Sequence, residues 1–297
     1  MTSGIPVTFR DIVDQIVQFT DLSRAEVEQR VWLEALNLGW NVAADARRYG
    51  VTAHVYDGRM EQLYREGIGF IFETMVYSAQ FQRQRWTIHA LERVNIHATT
   101  RRVPTNQLKI LMMGDGAGND SLAFAHAGFA VDYYDIPGSQ TYAFATQRFA
   151  AAGLLEDQIT LIPGYDIGLS GVYDVVVSFE VLEHLPDPLA AIRDIYALLK
   201  VGGIALVTEG FGALGPPYPT HLARNERFSG RTPFLFVERG LALSWYSRDP
   251  LFKPIEFVKP AAISHLDRLR LLADRNVVML RLGSRLGRIR RRMLNGL

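Results

Sequence analysis

Lys109-Ile110-Leu111-Met112-Met113-Gly114-Asp115-Gly116-Ala117-Gly118-Asn119-Asp120 opens as a short apolar run, breaks into alternating glycines and leads into a helical stretch. A run of that length closed by glycine reads as a buried strand entering a tight turn. Glycine lets the backbone turn sharply and approach a ligand closely, and the N-terminus of a following helix offers unpaired N–H groups with partial positive charge. A dinucleotide fingerprint would need glycine at the sixth position from Gly114, where Asn119 stands. The strand, glycine loop and helix remain, and the dinucleotide reading weakens.

Downstream, short apolar runs alternate with helical segments. Strands are expected at 109–113, 130–134, 159–162, 173–178 and 204–208, and helices at 122–127, 142–152 and 188–199. This alternation builds βαβ units: an α/β, doubly wound, Rossmann-like sheet whose ligand crevice lies at the carboxyl ends of its strands. Upstream, from Thr8 to about Val94, apolar residues recur at helical spacing, as in Ile12, Ile16 and Phe19, then Val27 and Val31. Asp21 and Ser23 are candidate helix caps. The region is rich in aromatics, among them Tyr56, Tyr64, Phe70, Tyr77 and Trp86, most expected in helix–helix interfaces and a minority facing a ligand. The polar segment 97–107, with Pro104, reads as a linker or strand approach. The expected organisation is a helical cap at 1–100, an α/β domain at 101–283 and a basic tail at 284–297.

Composition narrows the chemistry. With 297 residues, 48% of them hydrophobic, the chain can bury a substantial core, and a formal charge of +1 gives no surface-wide signal for nucleic acid or an anionic membrane. The absence of cysteine removes disulfides, thiolate zinc sites, cysteine nucleophiles and cysteine-held iron–sulfur clusters, so any metal must use oxygen and nitrogen ligands. No apolar run reaches the roughly 20 residues that span a bilayer, and the first residues lack a basic segment followed by an apolar core. The cytoplasm is the expected compartment.

Asp135 falls at the tip of the second strand, where a carboxylate can accept from both hydroxyls of a ribose or, alternatively, cap a helix. The most specific stretch is Tyr173-Asp174-Val175-Val176-Val177-Ser178-Phe179-Glu180-Val181-Leu182-Glu183-His184-Leu185, followed by Asp187 and by Leu198-Leu199-Lys200-Val201-Gly202-Gly203. It resembles motifs IV to VI of the class I S-adenosylmethionine-dependent methyltransferases, and the Gly-x-Gly-x-Gly loop resembles their motif I. The resemblance covers about residues 105–283 and implies a seven-stranded sheet whose last antiparallel pair would come from 241–245 and 277–282. It implies S-adenosylmethionine as cofactor, with Gly114, Asp115, Gly116 and Gly118 at its amino-acid and ribose portions, Asp135 and Ile136 at the ribose, Asp166 and Ile167 at the adenine, and Ser178 and Phe179 at the end of the fourth strand. Two positions depart from the pattern: Met112 replaces the usual acid and Val201 the usual proline. Asp115, Glu180 or an N-terminal residue could replace the missing acid, and Arg83 or Arg85 could meet the methionine carboxylate.

Glu180, Glu183 and His184 are spaced to share one face at a helix start, and His221 follows the fifth strand. Together they resemble the Glu-x-x-Glu-His constellation, with a later histidine, of metal-dependent O-methyltransferases. That resemblance implies a divalent ion (Mg, Mn, Fe or Zn) bound by Glu180, Glu183, His184 and His221, lowering the pKa of a substrate hydroxyl. The rival reading makes His184 or His221 a metal-free general base. The expected acceptor is a hydroxyl on a small molecule, sugar or glycan precursor. The alternatives are RNA or an amine as acceptor, or a non-catalytic or NAD-binding Rossmann-like protein. Nucleic acid is not the expected partner. The arginines from Arg281 to Arg292, interleaved with apolar residues, would suit either peripheral contact with anionic lipid or RNA or a solvated or oligomer-packing helix.

Overall fold

A computed structural model describes residues 8–164, 170–246, 254–262, 264, 266 and 269. Its strands are β1 (Lys109–Met113), β2 (Ala130–Tyr134), β3 (Ile159–Leu161), β4 (Tyr173–Phe179), β5 (Leu199–Thr208), β6 (Ala242–Tyr246) and β7 (Ile255–Val258). They form one seven-stranded sheet in the order β3-β2-β1-β4-β5-β7-β6. Neighbours from β3 to β5 are parallel, whereas β7 runs antiparallel to both β5 and β6. Strand order reverses between β1 and β4, which puts the crevice at their carboxyl ends.

Strict alternation along the strands gives the sheet two apolar faces. Ile110, Met112, Val175 and Val177 meet one layer of helices: α6 (Phe81–Arg101), α7 (Asn119–His126) and α8 (Gln140–Ala151). Leu111, Met113, Val176 and Ala205 meet the other, formed by α9 (Pro188–Leu198) and α10 (Thr232–Glu238). Ahead of the sheet lie α1 (Phe9–Phe19), α2 (Arg24–Leu36), α3 (Trp40–Arg48), α4 (Gly58–Glu66) and α5 (Gly69–Ala79). Thr8 and Ser23 start α1 and α2 with reciprocal capping boxes, so both helices begin where side chains satisfy their free N–H groups. Apolar residues of α1, α2 and α5 close over Ala117 of the glycine loop and Phe144 of α8, which docks the helical cap on the strand ends.

Two expectations are corrected. The segment 97–107 is not a linker throughout: α6 runs to Arg101 because Ala90, Val94 and Ala98, four apart, are buried against the sheet, and the helix ends only where Arg102 adopts a left-handed conformation. The strand beside β6 is β7; residues 277–282, where it was expected, lie outside the described residues. A buried acid hides β7 in the sequence. Glu256 is compensated by Arg93 at 2.7 and 3.0 Å and by the Ser244 hydroxyl at 2.5 Å. The basic tail at 284–297 also lies outside the described residues. Among the described residues no helix is long and apolar enough to cross a membrane.

Candidate functional site

A cavity of about 400 Å³ opens at the carboxyl ends of β1, β2 and β4 beneath α5. Its floor begins with the glycine loop. Gly114, Gly116 and Gly118 all have positive φ, between 52° and 76°, a conformation that penalises any Cβ. A Cβ on Gly114 would stand 2.6 Å from Val181, and one on Gly118 only 2.3 Å from the ring of Phe149. Gly118 therefore admits α8 rather than a ligand; Gly114 and Gly116 line the cavity and Gly118 does not.

Carboxylates hold the loop. Asp115 accepts the N–H groups of Asp120 (3.2 Å) and Ser121 (2.7 Å), capping the start of α7. Burial, reinforced by neighbouring Asp120, pushes its carboxyl up to about 7. Asp135 accepts from the Gly116 N–H at 2.6 Å and the Ile136 N–H at 2.7 Å, while burial raises its pKa. Ser139, not Asp135, caps α8. That removes the capping alternative and leaves Asp135, with Ile136, on the cavity wall. Arg83 also lines the wall; its guanidinium is paired with Asp120 and donates to Thr87 at 2.9 Å.

The opposite end carries the acids and histidines. After β4, Glu180 is held in a left-handed conformation at φ 56°, its N–H donating to Thr208 Oγ1 at 3.0 Å. A single 3₁₀ turn, Leu182–His184, follows before α9. The expected helix face for residues 180, 183 and 184 is thus corrected: a strained residue and a tight turn bring them together, an arrangement enriched at functional sites. Ligand-capable atoms of Glu183, His184 and His221 lie within 4.8 Å of one another. Glu180 is not one of those three, but its Oε2 flanks them across Gly210. A Cβ there would lie 2.7 Å from Glu183 Oε1, 3.1 Å from His221 Cε1 and 3.4 Å from Glu180 Oε2. Gly210 also donates its N–H to Glu183 Oε1 at 2.8 Å, which orients that carboxylate.

His221 arrives from residues 209–222, past β5. The cap clasps this segment at His54, whose N–H donates to Pro219 O at 2.7 Å and whose Nδ1 lies 2.8 Å from His221 O. Tyr64 of α4 puts its hydroxyl 3.1 Å from His184 Nδ1. Among the described residues, the buried His221 Nδ1 has no hydrogen-bond partner. Burial pushes His184 down to about 4; burial and then His184 push His221 down to about 3. Both imidazoles are neutral near pH 7.

A family model described as a methyltransferase domain matches residues 77–253, more than half of the chain. The chain belongs to the class I S-adenosylmethionine-dependent methyltransferases. It is 30% identical over 116 residues, 39% of its length and 48% of the relative's, to a ubiquinone biosynthesis O-methyltransferase of Xanthomonas campestris pv. campestris. The corresponding protein of Xanthomonas axonopodis pv. citri is 28% identical over the same share of each chain. The chain spans about half the length of the curated relatives it matches. Among solved structures it is similar to the DszA carbon methyltransferase, with a TM-score of 0.51 and 15% identity over 82% of this chain and 71% of that one, a likeness of fold.

Measured against the sequence expectations, this methyltransferase brings Gly114, Asp115, Gly116, Asp135, Ile136, Phe179, Glu180, His184 and His221 to one cavity. Glu183 is fully buried just behind it. Ser178 is corrected: alternation turns Val177 and Phe179 toward the cavity and Ser178 to the opposite face. Asp166 and Ile167 lie outside the described residues. The sequence reading missed Glu73 and Gly210 and left Tyr64 unassigned among the aromatics of the helical region. Phe70, Glu73, Thr74 and Tyr77 did carry a signal, an acid and a threonine set among aromatics on one helical face, but core packing accounts equally well for such a face.

Proposed function

We propose that the chain transfers the methyl group of S-adenosylmethionine to a hydroxyl of a small-molecule, sugar or glycan acceptor, at a divalent-metal site formed by Glu180, Glu183, His184 and His221. The carrying observation is the convergence of Glu183, His184 and His221 within 4.8 Å at the edge of a cavity whose other end is the glycine loop. The name of the Xanthomonas relative, an O-methyltransferase, supports the acceptor atom.

The donor set fits a divalent ion on three counts. Mixed carboxylate and imidazole ligands suit Mg, Mn, Fe or Zn. His221 keeps a buried nitrogen without a partner among the described residues. Gly210 leaves the space that any side chain would fill. A bound divalent ion would act as a Lewis acid and lower the pKa of a hydroxyl beside it. In the transfer, the hydroxyl oxygen attacks the methyl carbon, the carbon–sulfur bond breaks, sulfur keeps its electron pair as a thioether, and the hydroxyl proton departs. In this reading Gly114 and Gly116 admit the donor, Asp135 accepts from its ribose, and α5 with the residues after β5 shelters the acceptor, so catalysis is mainly alignment. Burial lowers both imidazole pKa values, which weakens the general-base alternative.

A chelator tests the proposal. Turnover should stop while S-adenosylhomocysteine still binds, and re-adding Mg, Mn, Fe or Zn should restore it to differing extents. Undiminished turnover in the metal-stripped protein would leave the methyltransferase assignment standing and remove the ion.

A further inference from the structure

One face of α5 roofs the cavity and joins its two ends. At the histidine end, Phe70 stacks on Tyr64 with centroids 5.1 Å apart, and Tyr64 reaches His184. At the glycine end, the Thr74 methyl is the closest atom, at 3.2 Å, to where a Cβ on Gly116 would stand, and Thr74 O accepts from Asn119 at 3.3 Å. Glu73 sits between them on the same helical face and lines the cavity, in the stretch where an acceptor must lie to meet the donor's methyl group.

Among the described residues, no hydrogen bond or ion pair satisfies the Glu73 carboxyl. The charges it senses are Glu34 and Glu180, both acidic. The lining cation, Arg83, is already paired with Asp120. Tyr56, Tyr64, Phe70, Tyr77 and Tyr218 supply aromatic wall to the same cavity. Burial first, and these acids second, push Glu73 up to about 8. With a neutral guest the acid keeps its proton; an ammonium group would draw the proton off, pair with the carboxylate and gain from the aromatic faces.

Resting on the O-methylation reading, we propose that Glu73 recognises the acceptor and that the acceptor carries a protonated amine in addition to the hydroxyl that is methylated. The arrangement also accounts for the choice of atom, because a protonated amine has no lone pair with which to attack a methyl group and the hydroxyl does. Glu73 is not among Glu183, His184 and His221, whose ligand-capable atoms converge within 4.8 Å of one another.

The experiment is calorimetric titration of the full chain, loaded with S-adenosylhomocysteine, with 2-phenylethylamine and with its neutral counterpart 2-phenylethanol. The amine should bind about tenfold or more tightly than the alcohol, as expected for a charge-assisted contact. Glu73→Gln should erase that preference and Glu73→Asp should keep part of it, with S-adenosylhomocysteine binding reporting that each variant is folded. Equal binding of the two probes, no binding of the amine, or an amine preference that survives Glu73→Gln would overturn the inference. Because the titration reads no turnover, those results leave the methyl-transfer reading intact, whereas failure of the wild-type chain to bind S-adenosylhomocysteine would overturn both.

Discussion

The two ends of the cavity are built in opposite ways. The glycine end is made of backbone: three positive-φ glycines, two carboxylates accepting main-chain N–H groups, and a helix start, all between residues 114 and 135. The histidine end is made of side chains from β4's exit, the segment after β5 and, through Tyr64 and His54, the cap. A backbone site is written locally and tolerates little change in shape. A side-chain site is assembled from distant segments, and single members can be removed without loss of the fold.

That contrast breaks most visibly at Gly118. Gly118→Val would force a β-branched residue into positive φ and drive its Cβ into Phe149, so denaturant unfolding should register a loss of about 4 kcal/mol. A variant as stable as the wild type would mean that shape is not what the glycine end requires. At the other end, His184→Ala and His221→Ala should each lower kcat/KM about 100-fold, roughly 2.7 kcal/mol, with S-adenosylhomocysteine affinity little changed. If both serve one ion, the double variant should be scarcely worse than either single one. Multiplicative losses in steady-state kinetics would make them independent groups instead.

Asp135→Ala tests the glycine end at one carboxylate, removing its bond to the Gly116 N–H along with any to a ribose. Loss of charge-assisted hydrogen bonds should weaken S-adenosylhomocysteine binding by about 2 kcal/mol in a calorimeter, and unchanged affinity would place the ribose elsewhere. The smallest effect is expected at Glu73. Because its folded pKa, about 8, lies above the ordinary 4.5, the folded state holds the proton more tightly, and stability is lost as pH rises from about 4.5 through 8. Glu73→Gln should flatten that slope and leave the variant about 1–2 kcal/mol more stable than wild type at pH 9, in denaturant titrations run at pH 5 and pH 9. Parallel pH profiles would show that the carboxyl is not penalised.

Much of the fold was legible because apolar period and glycine placement are local signals. β1 and β2 fall on the expected residues, β4 extends one residue further, and Gly114 to Gly118 follow β1 directly. β7 was not legible, since Glu256 interrupts its apolar pattern and its partners Arg93, 163 positions away, and Ser244 are what make that acid tolerable in the sheet. The continuation of α6 to Arg101 was masked by polar neighbours, its buried residues being spaced four apart against a sheet not yet in view.

The sequence by itself determined the sheet class, the glycine loop, Asp135 and the residue types of the Glu/His group, because strands, turns and caps are decided by neighbours within a few positions. Tertiary structure decided what those residues do for one another. It turned Ser178 away while keeping Phe179 in the cavity, replaced an expected helix face with a strained Glu180 and one 3₁₀ turn, set Gly210 where no side chain fits, and laid α5 across the cavity so that Glu73 faces it without a partner among the described residues. Contacts between segments tens to more than a hundred residues apart depend on how layers dock, and no local pattern carries that information.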